Sequence, residues 1–171
     1  MPDLLCSLVH LPDIEPFLRS LRLQTIFLRR PNPWEKEKVR GFVKGNWSSN
    51  WAQEVDVAFS KQPISCFIAT KEDDIVGFSA YECTRRGFFG PMGVLPEHRK
   101  KGIGTALLLA GLMGLQDLGY VYGIIGAAGP VDFYHRTCGA VPITLNNGRG
   151  IYGLKEEPRF MRQSKKDTRT E

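Results

Sequence analysis

The stretch from Phe88 to Leu118, FFGPMGVLPEHRKKGIGTALLLAGLMGLQDL, leaves this chain few folds to choose from. Phe88–Leu95 reads as a strand, and Pro96 stops it because proline has no N–H to give to a ladder. Arg99-Lys100-Lys101-Gly102-Ile103-Gly104 reads as a turn, and an apolar helix follows from Ile103 to Leu118, closed by Gly119. The start of a helix offers unpaired backbone N–H groups and a partial positive charge. Glycines let an anion approach that backbone, and three flanking cations favour a polyanion over a lone carboxylate. The combination is a phosphate-binding turn.

The elements around it fix the fold class. Leu4–Val9 is a short apolar first strand. Pro12-Asp13 starts a helix with Asp13 as N-cap, and Ile14, Phe17, Leu18, Leu21, Thr25 and Leu28 keep helical spacing until Pro31-Asn32-Pro33 breaks it. A second short helix runs from Asn32 to Lys44, with Gly45 as its stop. A third starts near Ser48–Asn50, with Asn50 and Gln53 at capping-box spacing, and ends at Pro63. Ile64–Thr70, Ile75–Cys83 and Phe88–Leu95 are then joined by the turns Glu72-Asp73-Asp74 and Arg85-Arg86-Gly87, so they form an antiparallel meander. Tyr120–Ala127 follows the long helix, and the strand–helix–strand order makes it parallel to Phe88–Leu95. Val131–Thr137 is a short helix, and Asn147-Gly148 marks a hairpin between Ile143–Leu145 and Gly150–Leu154. The expected architecture is α+β: a mixed, mostly antiparallel sheet with one central parallel pair and helices on both faces. Residues 1–154 are expected to form one domain, with a helical cap over 12–62 and a core over 64–140; residues 155–171 are a polar tail.

Composition removes several classes. No apolar run approaches the ~20 residues that cross a bilayer, so no membrane partner is expected. The opening MPDLLCSLVHLPD lacks a basic region and a small-residue cleavage site, which points to a cytoplasmic protein. Four scattered cysteines and three histidines make neither a zinc pattern nor a disulfide framework, so no metal is expected. The net charge of +5 is uneven, with eight Lys or Arg against two Glu from Arg19 to Lys44. That stretch favours anions in general, and a solvated helix face explains it more simply than a nucleic-acid surface. A homodimer is compatible with this reading.

Three phosphate turns compete. A P-loop needs GxxxxGK before Ser or Thr, but here the lysines precede the glycine. A dinucleotide fingerprint needs a third glycine where Leu107 stands. What remains is Val94-x-Pro96-x-x-Arg99-x-x-Gly102-x-Gly104 opening a long helix, with Phe133-Tyr134 and Gly139-Ala140 downstream. This set resembles the GNAT superfamily of acyl-CoA-dependent N-acetyltransferases, and the resemblance covers Ile64 to about Ala140. It implies acetyl-CoA as co-substrate, with Met92, Gly93 and Val94 meeting the pantetheine. The turn Arg99, Lys100, Lys101, Gly102, Ile103, Gly104 and Thr105 would take the pyrophosphate. Gly90, Pro91 and Gly93 weaken regular pairing and allow the parallel strands to splay. The family often carries an asparagine after the second splayed strand, where Ala127 stands, so backbone from Gly126 to Gly129 would replace that contact.

By the same resemblance Tyr134 lies beside the coenzyme sulfur and protonates the leaving thiolate. Glu82, near the end of a central strand, is the leading candidate for the general base; a surface strand carboxylate is its plainer reading. His98 is a phosphate-side neighbour, Glu97, Asp132 and His135 are solvated or capping residues, and Cys138 is a small buried residue. Trp34, Trp47 and Trp51 either pack beneath the helical cap or line an acceptor pocket. The implied activity is acetyl transfer to a primary amine of a small molecule, amino sugars and amino acids among the candidates, by direct attack in a ternary complex. The alternative is a non-catalytic acyl-CoA-binding sensor or regulatory module built on the same turn.

Overall fold

The computed structural model describes residues 1–144. The element order is β1 (Leu4–Ser7), α1 (Glu15–Leu23), β2 (Ile26–Arg29), α2 (Lys36–Asn46), α3 (Ser49–Ala58), β3 (Cys66–Lys71), β4 (Asp74–Tyr81), β5 (Phe88–Val94), α4 (Ile103–Asp117), β6 (Tyr122–Ile125), α5 (Val131–Cys138) and β7 (Val141–Pro142). The strands form one sheet in the order β2-β3-β4-β5-β6-β1-β7. Among the described residues its pairings are antiparallel except β5 with β6. The mixed sheet with one central parallel pair is the architecture expected from the sequence.

The two faces of the sheet carry separate cores, and the side chains of β4 alternate between them. Phe78 and Ala80 pack with Val39, Val43, Ala52 and Val55 of α2 and α3. Gly77 and Ser79 face α4 instead: a Cβ at Gly77 would lie 3.0 Å from Leu107, and Ser79 Oγ donates to the Leu107 carbonyl at 2.9 Å. That bond satisfies a hydroxyl with no exposure to water. Helix α4 is apolar around most of its circumference because it is covered on nearly every side, with α1 beside it and the sheet beneath. Among the described residues no helix is long and apolar enough to cross a membrane.

Three local expectations change. The helix from Pro12 does not reach Leu28: α1 ends at Leu23, Thr25 takes φ 57°, and Ile26–Arg29 becomes an edge strand paired with β3. Helix α2 runs through Gly45 to Asn46, because Trp47, not the glycine, turns the chain at φ −134° and ψ −83°. Its entry uses a capping box in which Asn32 and Glu35 satisfy each other's backbone N–H groups. Helix α3 is capped by Ser48, whose Oγ accepts the Trp51 N–H at 3.1 Å, rather than by the Asn50–Gln53 pair. The hairpin at Asn147-Gly148 and the tail lie outside the described residues.

Candidate active site

The site begins where β5 and β6 part. Their register holds for Phe88 with Ile124 and Phe89 with Ile125 and goes no further. On its other edge β5 stays paired with β4 as far as Val94. The segment from Gly90 to Val94 is therefore anchored along one edge and open along the other. A cavity of about 830 Å³ fills the opening, with Gly90–Val94 on one side and Gly126–Pro130 on the other.

One end of the cavity is the turn expected from the sequence to take phosphate. Arg99 leaves Pro96–His98 in extended conformation and its Nε donates to the Val94 carbonyl at 3.1 Å, which ties the turn to the end of β5. Lys100 and Gly102 both take left-handed backbone, φ 61° and 88°, so the chain reverses sharply before α4 begins at Ile103. A Cβ at Gly102 would meet nothing within 4 Å; what selects glycine here is the left-handed φ, which costs other residues ~1–2 kcal/mol. With Gly102 at the N-cap, the first turn of α4 presents its unpaired N–H groups to the cavity.

Eight of the ten cofactor residues expected from the sequence line this space: Met92, Gly93, Val94, Arg99, Lys100, Gly102, Gly104 and Thr105. The other two do not. Lys101 points to solvent, and Ile103 is 1% exposed in the core with Leu107.

Tyr134 lines the same cavity from α5 and is 7% exposed. Burial, with Cys138 as a smaller neighbouring influence, pushes its hydroxyl up to about 12, so it stays protonated at ordinary pH. Cys138 donates its thiol to the Tyr134 carbonyl at 3.2 Å, a structural role. Glu82 lies elsewhere. It lines neither this cavity nor the second one described below. Its carboxylate accepts the Gly87 N–H and pairs with the Tyr120 hydroxyl, and its own backbone is left-handed at φ 61°. These contacts make it the clasp of the β4–β5 turn. His98 likewise lies outside both cavities, and His135 Nδ1 sits 3.2 Å from the Ala140 carbonyl.

The tryptophans divide. Trp34 is 80% exposed and joins neither core nor cavity. Trp47 and Trp51 stack at 6.1 Å and 22°, meet Phe78 edge-on, and form one wall of the cavity, so packing and lining are the same act. Trp47 presses on Gly93 so closely that a Cβ there would lie 2.3 Å from its ring.

Two features went unread in the sequence. Met1 lines the cavity, and the N-terminal segment holds the loop after β6: Ala127 N–H donates to Asp3 Oδ1 at 2.7 Å and Ala128 N–H to the Pro2 carbonyl at 2.8 Å. Those two amides, expected to replace the absent asparagine, are engaged within the chain, and Ala127 itself is left-handed at φ 45°. A second cavity of about 350 Å³ continues from the first past Trp51, Gly90 and Pro91 and adds Glu54 and Thr84. Among the described residues no group of three or more His, Cys, Asp or Glu side chains could hold a metal ion.

The parallel pair opens onto a glycine-bearing helix start, with a buried tyrosine beside the gap. Residues 62–137 match the family model described as an acetyltransferase (GNAT) domain. Solved structures agree on the fold. A GCN5-related glucosamine N-acetyltransferase region within a fungal multi-domain GH3 beta-N-acetylglucosaminidase superposes with a TM-score of 0.66 at 16% identity, over 83% of this chain and 19% of that one. A GCN5-related N-acetyltransferase from Sphaerobacter thermophilus gives 0.62 at 19% identity, over 83% of this chain and 48% of that one. A GNAT family acetyltransferase from Brucella melitensis, in complex with acetyl-CoA, gives 0.52 at 18% identity, over 73% and 92%. The match thus spans about a fifth of the first of these proteins and about half of the second. No curated protein matches the chain.

Proposed function

We propose that the protein transfers acetyl from acetyl-CoA to a primary amine of a small molecule, by direct attack within a ternary complex. The observation that carries this reading is the open edge of β5 from Gly90 to Val94, leading without interruption to the phosphate turn. An amide-bearing pantetheine arm is of the right chemistry to bond to such an edge as an added strand. The pyrophosphate then falls to the N–H groups at the start of α4, with Arg99 and Lys100 nearby. The Brucella melitensis protein, of similar fold, carries acetyl-CoA in its structure.

The reaction follows from what faces the thioester. The acceptor arrives as an ammonium, with a pKa near ~10.4 in water, and must lose a proton before it can attack. Its nitrogen then forms a bond to the carbonyl carbon while the backbone N–H groups of Met92 to Val94 polarise the carbonyl oxygen. Collapse breaks the carbon–sulfur bond, the nitrogen gives up its second proton, and the sulfur takes one from Tyr134. Tyr134 regains one of the two protons that the amine has shed, so one proton is released overall. Tyr134 suits this role because burial keeps its hydroxyl protonated.

The test is release of free thiol from acetyl-CoA against a panel of amines. Amine-dependent release supports the reading. Tight acetyl-CoA binding with no release for any amine contradicts it and leaves the acyl-CoA-binding module.

A further inference from the structure

We propose that Asp3 is a positioning residue: by holding Ala127 in its left-handed conformation, it keeps the β6 side of the opening clear for a pantetheine arm along β5. The inference rests on the acyl-CoA reading above, and on binding rather than on transfer. The parallel strands part where each chain takes a positive φ, 117° at Gly90 within β5 and 45° at Ala127 in the loop after β6. A glycine reaches positive φ without steric cost, whereas the Cβ of an alanine crowds its own backbone there. Ala127 therefore needs a hold that Gly90 does not.

Asp3 supplies that hold from an anchored position. β1 runs antiparallel to β6 with Leu4 opposite Ile125, so the residues before Leu4 continue alongside the loop that follows β6. Main-chain pairing persists in the bond from the Ala128 N–H to the Pro2 carbonyl at 2.8 Å. At Ala127 the acceptor is instead a side chain: Asp3 Oδ1 takes the N–H at 2.7 Å. Asp3 is 7% exposed, and its own carbonyl accepts the Ile143 N–H at 2.9 Å, which fixes the backbone from which the side chain reaches. A hydrogen bond shielded from water in this way is stronger than one at the surface. The segment it holds, Gly126–Pro130, is the cavity wall that faces Gly90–Val94. Released to extended backbone, that wall would be free to shift toward β5 and narrow the space that pantetheine requires.

The experiment titrates coenzyme A, and separately adenosine 3′,5′-bisphosphate, which lacks pantetheine, into the wild type, Asp3→Ala and Asp3→Asn. Asp3→Ala should weaken coenzyme A binding about 10-fold and change the bisphosphate affinity by less than about 2-fold. Asp3→Asn keeps a side-chain oxygen as acceptor and should recover most of the loss. Unchanged coenzyme A affinity in Asp3→Ala overturns the proposal. So does an equal loss for both ligands, which would mark a general loosening of the fold. Asp3 makes further contacts, so the substitution is repeated in an Ala127→Gly background, where glycine takes the left-handed φ unaided. There the loss of coenzyme A affinity should shrink to about 3-fold or less, and this comparison stands even if Asp3→Ala alone does not fold; a larger loss refutes the role given to Ala127. A wild type that binds coenzyme A but releases no thiol with any amine sinks the transfer reading and leaves these titrations to decide on Asp3. A wild type that binds no coenzyme A overturns both.

Discussion

Replacing Gly93 by alanine tests how the aromatic wall is set against the strand. The added methyl carbon would lie 2.3, 2.5 and 2.9 Å from three atoms of the Trp47 ring. Carbon atoms rest at ~3.5–4.0 Å, so the indole must retreat by more than ~1 Å. It has little room, because Phe42 at 5.5 Å, Phe78 at 5.3 Å and Trp51 at 6.1 Å between ring centroids pack around it. Gly93 itself has no left-handed φ, so the cost is the clash and not the backbone. Overpacking of this kind costs ~1–3 kcal/mol, which for a chain of this size lowers Tm by about 2–12 °C. In a Trp47→Ala background the obstacle is gone, and Gly93→Ala should become nearly neutral, a coupling of ~1–3 kcal/mol. Thermal melts of the wild type, both single variants and the double variant measure it. An equal fall in Tm in both backgrounds would refute the argument.

Two further outcomes follow from the geometry. Tyr134→Phe should lower kcat by about 100-fold or more while the KM for acetyl-CoA changes little, and wild-type kcat should show no loss from this group up to pH 10, since burial lifts it to about 12; an unchanged kcat in the variant removes Tyr134 from the chemistry. Glu35 is held down to about 2, first by its bond to Arg29 and also by the Asn32 N–H. A lowered folded-state value stabilises above the ordinary carboxylate range and is lost as pH falls through the folded value. Glu35→Gln should therefore cost about 1 kcal/mol near neutral pH, with the gap to the wild type closing between pH 4.5 and pH 2; a constant gap across that window contradicts the ion-pair account.

Much of this architecture was legible because its signals are local. The β5–turn–α4 unit is written in Pro96, Gly102 and an apolar run, and the meander in its short charged turns. The failures were of two kinds. Ile26 and Leu28 satisfy period 2 as well as helical spacing, and only pairing with β3, more than forty residues away, decides for a strand. The contacts of Met1, Pro2 and Asp3 with the loop after β6 join residues more than 120 positions apart and leave no periodic trace. Glu82 drew notice for its position near the end of β4, but local turn geometry claims its carboxylate.

Direct transfer in a ternary complex is the central claim, and initial-velocity kinetics with acetyl-CoA and an amine both varied bear on it most directly. Intersecting double-reciprocal lines, with thiol released only when amine is present, are the predicted result. Parallel lines, or thiol released without amine as an acylated protein accumulates, would contradict it and move the chemistry to a protein nucleophile.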